Sequence, residues 1–90
     1  MWHYVYILES KVDGNHYVGC TIDIRKRLGE HNSGKNFSTT LRKPLIFIYC
    51  EVFLDQTDAY NREKFLKTGW GKRFLAEVLQ NYNRSKKFGG

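Results

Sequence analysis

The sequence predicts an α+β fold: a three-stranded antiparallel sheet flanked by helices, in the order ββαβαα. Three observations lead there. Two short runs of aromatic and β-branched residues, "YVYIL" and "HYVGCT", bracket the turn signal Asp13-Gly14. A third run, "LIFIYCEVF", follows Pro44. The remaining stretches space their apolar residues at helical intervals, without internal repeat or linker. Helices packed on a sheet that must cover its apolar faces make a two- or three-layer domain.

Taken in order, residues 2–9 carry aromatic and β-branched side chains on both faces, as suits a strand covered on both sides or at the centre of a sheet. "HYVGCT" returns to complete a hairpin. A two-residue Asp-Gly turn would not set Tyr6 opposite Tyr17, whereas a longer, lopsided loop starting near Ser10 would. In "TIDIRKRLGEHNSGK", Thr21 or Asp23 caps a helix, Ile24 and Leu28 form an i, i+4 seam, and Asn32-Ser33-Gly34 ends it. Arg27 and His31, also i, i+4, share a face bordering that seam. Residues 35–43 are polar, with Phe37 isolated among them, and read as a long loop. "LIFIYCEVF" is the best candidate for a central strand. A helix capped by Asp55 or Thr57 then runs through "DAYNREKFLK" to Thr68-Gly69. The last helix, "GKRFLAEVLQNY", sets Phe74, Leu75, Val78, Leu79 and Tyr82 at helical spacing. One domain is expected over 1–83, with 84–90 as a basic flexible tail.

Ninety residues support one modest core, burying roughly 60–65% of the unfolded surface. Fifteen Lys/Arg against nine Asp/Glu leave a net charge of +6, a field that attracts polyanions, so nucleic acid is the leading partner class. Cys20 and Cys50 stand thirty residues apart, without a CxxC pair or a histidine doublet, and read as buried free thiols rather than zinc ligands. No leader-like segment or bilayer-length apolar run is visible, so a cytoplasmic location and no membrane partner are expected.

Elimination among the acids narrows the chemistry. Asp13 belongs to a turn, Asp23, Asp55 and Asp58 to caps or first helical turns, Glu9 to a strand end, and Glu30 and Glu77 to outward helical faces. Glu63 differs, because Ala59, Glu63 and Leu66 fall at i, i+4 and i+7 on the small-apolar side of their helix. A carboxylate there needs a basic side chain or a cation. Arg27 either snorkels across its seam or meets an anion. Tyr6 and Tyr17 are core aromatics or reacting phenols, and His31 is a solvated last-turn residue or part of the same site. As a set, phenols, an arginine with a histidine, and an inward glutamate match what phosphodiester hydrolysis requires. One group takes a proton from water, a cation meets the charge on the phosphate oxygens, and an acid holds a divalent metal.

Tyr4-Val5-Tyr6, then Tyr17-Val18-Gly19, Arg27 ten residues past Tyr17, His31 four further on and Glu63 in a later helix form an ordered series. With it the chain resembles the GIY-YIG nuclease superfamily, particularly its small stand-alone bacterial members, from residue 4 to about residue 75. The stretches "YVGCTIDIRKRLGEHNSGK" and "NREKFLKTGWGKRFL" carry the same likeness. The resemblance implies metal-dependent cleavage of DNA, with branched, damaged or single-stranded forms among the candidate substrates. It implies Tyr17 as general base or water-positioning phenol, Tyr6 as orienter of water and metal shell, Arg27 as phosphate stabiliser assisted by His31, and Glu63 as anchor of one Mg²⁺ or Mn²⁺. A free phenol titrates near pH 10, so a phenolic base needs a neighbouring cation such as Arg27. Gly19 would permit close approach of substrate or a helix. Lys26, Lys35, Arg42, Lys64, Lys67, Lys72 and Arg73 are the expected phosphate-gripping residues, with Trp70 or Phe37 available to stack on unpaired bases. The chain departs from the pattern at Cys20, where a polar residue is common, at Tyr4, where the motif's name has glycine, and at Leu75, where an asparagine is common. Those departures leave a second reading: a nucleic-acid-binding module of the same fold with weak or no turnover.

Overall fold

The computed structural model describes residues 1–33 and 43–89, and side chains through residue 86. Gly34, Lys35, Phe37 and Arg42, and with them most of the expected long loop, lie outside the described residues. The elements are β1 (His3–Ser10), β2 (His16–Thr21), α1 (Ile24–Asn32), β3 (Leu45–Phe53), α2 (Gln56–Leu66), α3 (Gly69–Val78) and α4 (Gln80–Gly89). The sheet is antiparallel with strand order β2-β1-β3, as expected for its class.

The central strand is β1, buried without a break from Val5 to Ser10, and β3 is an edge. Its run of β-formers made β3 look central, but Cys50 and Val52 are exposed along it, so β-propensity there reflects a half-covered surface. Alternation along β1 divides the core in two. Val5 and Ile7 face one side with Ala59, Leu66, Leu75 and Leu79 from the α2, α3 and α4 segment. Tyr6 and Leu8 face the other with Leu45, Leu28 of α1, Tyr17 and Phe47. Cys20 is half-buried and Cys50 exposed, both free, which corrects the expectation of two buried thiols.

The hairpin uses the longer loop. Glu9 pairs with His16, and the Gly14 N–H donates to the Ser10 carbonyl at 2.9 Å, with Gly14 at φ +76°. That left-handed conformation suits glycine. In this register Tyr6 faces Gly19 and Leu8 faces Tyr17, so the phenols are diagonal neighbours on one face rather than opposite each other. A Cβ at Gly19 would fall inside the contact distance of the Tyr6 hydroxyl and Cζ. The close approach at Gly19 is thus made by the Tyr6 ring, not by a helix.

Helix starts follow the sequence. Asp23 accepts from the Lys26 N–H at 3.1 Å and Asp55 from the Asp58 N–H at 2.9 Å, which settles both open choices of cap. Asn32 does more than end α1: its side chain accepts from the Leu45 N–H at 2.7 Å and donates to the Leu45 carbonyl at 3.1 Å, docking the helix on β3.

The expected last helix is two, α3 and α4, separated at Leu79 (φ −103°, ψ 20°), so the order is ββαβααα. The break redirects α4 toward β1. Residues expected to fray from 84 onward continue as helix through Gly89. Their anchor is Glu9, which is only 2% exposed. Its carboxylate accepts from the Tyr82 hydroxyl at 2.7 Å, from His16 Nε2 at 2.9 Å and from Lys86 Nζ. Burial works to raise the Glu9 carboxyl, but the hydrogen bonds from Lys86, Tyr82 and His16 together outweigh it and bring the pKa down to about 2. A second carboxylate, Glu51 of β3, accepts from Arg62 at 2.7 and 3.0 Å and from the Tyr49 hydroxyl at 2.6 Å. The Arg62 guanidinium lies 5.0 Å from the Phe65 ring centroid and 4.6 Å from that of Phe74, so one side chain joins β3, α2 and α3. No helix among the described residues is long and apolar enough to cross a membrane.

Two predictions test this framework. A carboxyl whose pKa falls on folding stabilises the native state above its unfolded pKa, and that stability disappears as pH drops through the folded value. A shift from 4.5 to about 2 at Glu9 corresponds to on the order of 3 kcal/mol. Glu9→Gln is therefore expected to lower stability by about that amount at pH 7, with the gap to wild type closing between about pH 5 and pH 2 in urea titrations. A pH-independent gap would contradict the assignment. Gly19→Ala is expected to lower stability by about 1–3 kcal/mol through overpacking against Tyr6, and Gly19→Ala combined with Tyr6→Ala should recover part of that loss.

Candidate nucleic-acid interface

Strand order leaves β2 at an edge, and along that edge side chains from both layers open onto one groove of about 690 Å³. α1 brings Arg27 and His31 to it, because Leu28 anchors the helix in the Tyr6 cluster. The hairpin contributes Tyr6 and Tyr17, and α2 contributes Glu63. All five residues expected to do chemistry line the same cavity.

Their environments differ. Tyr6 is 2% exposed and its hydroxyl lies 3.2 Å from His31 Nε2. Burial raises the Tyr6 phenol above its ordinary pKa; the Arg27 guanidinium works against this, and the Glu63 carboxylate and Cys20 add to it. Tyr6 is therefore a protonated phenol at neutral pH. Burial, reinforced by Arg27, lowers His31, while Glu30 opposes the shift. A neutral His31 carrying its hydrogen on Nδ1 accepts the phenol's hydrogen bond at Nε2. Arg27 also pairs with Glu30 at 3.2 Å.

Glu63 finds the partner its position demanded. Its carboxylate accepts from Lys67 Nζ at 2.9 Å, one turn along α2, with the Glu63 side chain 23% exposed. Ala59 and Leu66, the residues that marked this helix face, are buried as the spacing required. Among the described residues no group of three or more His, Cys, Asp or Glu is arranged to hold a metal ion. One groove carboxylate suits Mg²⁺ or Mn²⁺, hard ions that keep several waters and take further oxygens from a substrate phosphate, and does not suit a protein-caged zinc.

The expected phosphate-gripping residues divide. Lys67 and Lys72 line the groove. Lys26 and Lys64 are exposed but outside its lining, and Lys35 and Arg42 lie outside the described residues. Arg73 sits 5.0 Å from the Trp70 ring, and neither lines the groove. Helical geometry gives the reason: residues two apart on α3 point to nearly opposite sides, so Trp70 turns away from the side that carries Lys72 and Ala76. His16, Cys20, Tyr60 and Asn83 line the groove without having been singled out for it. Burial and Glu63 raise the Cys20 thiol and Arg27 opposes them, so it stays protonated. Asn83 carried no signal in its distance from Glu63, since it reaches the groove only because α4 breaks away at Leu79.

Residues 2–74 match the family described as the GIY-YIG catalytic domain. A UPF0213 protein of Streptococcus pneumoniae is 43% identical over 65 residues, which are 71% of this chain and 65% of that protein. Another, from Staphylococcus haemolyticus, is 39% identical over 67 residues, covering 73% of this chain and 80% of its own length. Among solved structures, the solution NMR structure of a UPF0213 protein from Bacillus halodurans superimposes with a TM-score of 0.55 at 36% identity, over 87% of this chain and 85% of that one. The chain belongs to the GIY-YIG family and matches its small bacterial UPF0213 proteins.

Proposed function

We propose that the groove along β2 binds the phosphodiester backbone of a nucleic acid, DNA in the first instance, and that metal-dependent hydrolysis of the bound phosphodiester is the chemistry its residues are suited to. The observation that carries the reading is that Tyr6, Tyr17, Arg27, His31 and Glu63, drawn from four separate elements, line one cavity in a chain of net charge +6. Arg27 meets the anionic phosphate oxygens, with Lys67 and Lys72 taking the flanking phosphates. Tyr17, the more exposed phenol, positions the attacking water. Tyr6 stays protonated and holds His31, with the Arg27 guanidinium beside its hydroxyl. Glu63 would hold the ion, which when bound would lower the pKa of a coordinated water and offset charge on the phosphate. Lys67 must then exchange its hold on Glu63 for a hold on phosphate.

The Glu63–Lys67 pair also favours the second reading, a phosphate-binding module with weak or no turnover. A carboxylate neutralised by its own lysine is a poorer cation ligand, and Lys67 with Lys72 binds phosphate without a metal.

The two readings separate by experiment. Salt-dependent DNA binding that survives EDTA is expected in both, and Lys72→Ala should weaken it and reduce the slope of log K against log salt by about 1. With Mg²⁺ or Mn²⁺, hydrolysis by wild type is expected to fall by about 10²-fold or more in Arg27→Ala and to be abolished in Glu63→Ala. Binding without cutting would select the module, and a chain that binds no nucleic acid even at low salt would overturn both.

A further inference from the structure

The groove holds more apolar surface than phosphate chemistry needs. Its lining includes Val18, Leu66, Leu75 and Ala76 together with Tyr60 and Asn83. Tyr60 is 48% exposed, and its hydroxyl accepts from the Gln56 side chain at 2.8 Å, a bond that restrains the ring. It stands one turn before Glu63 and two before Lys67 on the same face of α2. Asn83 is half-buried at the wall formed by α4.

Taking the phosphate-binding reading as its basis, we infer that these apolar lining residues form a nucleobase subsite: it takes an unpaired base of the strand whose phosphates lie at Arg27, Lys67 and Lys72, with Tyr60 stacking on the base and the Asn83 amide hydrogen-bonding its edge. Three physical points support that occupant over others. The same groove is lined by cations, which select a polyanion, and by apolar side chains, which suit a ligand that carries phosphate and a flat apolar face together. Bases in an intact duplex are stacked inside it and present no such face, whereas a single-stranded or extruded nucleotide does. A volume of about 690 Å³ has room for a nucleotide-sized ligand.

The test compares two fluorescent oligonucleotides of equal length and charge, one base-bearing single strand and one made of abasic residues, by anisotropy across salt concentrations. Stacking of one base contributes roughly 1–3 kcal/mol, so the base-bearing strand is expected to bind about 5- to 140-fold more tightly. Tyr60→Ala should collapse that ratio toward one while leaving the affinity for the abasic strand unchanged, and Tyr60→Phe should retain it. Asn83→Asp should change the ranking among the four homopolymers, because the amide's donor is lost. Equal affinity of wild type for the two strands, or an unchanged ratio in Tyr60→Ala, overturns the base subsite while salt-dependent binding of both strands leaves phosphate binding standing. Absence of salt-dependent binding to either strand overturns both.

Discussion

The candidate site rests on a phenol lying across a glycine. Tyr6 occupies space that any side chain at Gly19 would fill, and this close approach is what lets the central strand of the sheet deliver a hydroxyl to the β2 edge. Because its ring is buried, Tyr6 stays neutral and meets His31 in a hydrogen bond that spans twenty-five residues of sequence. The same packing orients α1, since Leu28 and Tyr6 share a cluster and Arg27 follows from the helical repeat. Arg27, His31 and both phenols therefore reach the groove around the cluster that Tyr6 forms with Leu8, Leu45 and Leu28.

Two carboxylates, Glu9 buried and Glu51 half-buried, close the rest of the molecule. Glu9 gathers β2 and α4 onto β1, and Glu51 gathers α2 and α3 onto β3 through Arg62. Each is surrounded by enough donors to remain ionised despite burial, and each raises the tyrosine that bonds to it, Tyr82 and Tyr49, to about 12. Burial is the leading cause in both tyrosines, with the carboxylate adding to it. A small core gains definition from such networks, because a shifted helix would leave a charge buried without its partner. The Glu9 cluster also bears on the groove, since it holds the helix that carries Asn83 and the histidine at the groove's rim.

Arg27, Lys67 and Lys72 line the groove against one carboxylate, Glu63, but two of these cations are already paired. Glu63 is matched by Lys67 and Arg27 by Glu30 in the free protein, so a polyanion must rearrange pairs already made. Exposed pairs of this kind are worth little individually, which keeps the exchange inexpensive. Lys72 lines the groove as a further cation.

Local chemistry was legible in the residue order. The sheet class, the two candidate caps at each of the first two helices, the inward position of Glu63 and the shared face of Arg27 and His31 follow from turn residues and from periods of 2 and 3.6, while the structure chose the longer hairpin loop and the caps Asp23 and Asp55. The Glu63–Lys67 pair is an i, i+4 couple and Trp70 and Lys72 fall on opposite sides of α3, spacings that the expectation of Lys67, Lys72 and Trp70 as nucleic-acid contacts passed over. Other features depend on contacts between residues distant in sequence, and no local period carries them. Glu9 reads as an ordinary strand-end acid until Tyr82 and Lys86, more than seventy residues on, come back to it. β3 looked more central than β1 because propensity records how well a residue suits a strand and not which neighbours that strand receives. The order of residues determined which side chains share a face; the packing of α4 and the pairing of β1 between two partners decided which faces meet, because burial of apolar surface and of charge is settled only when the whole chain has closed.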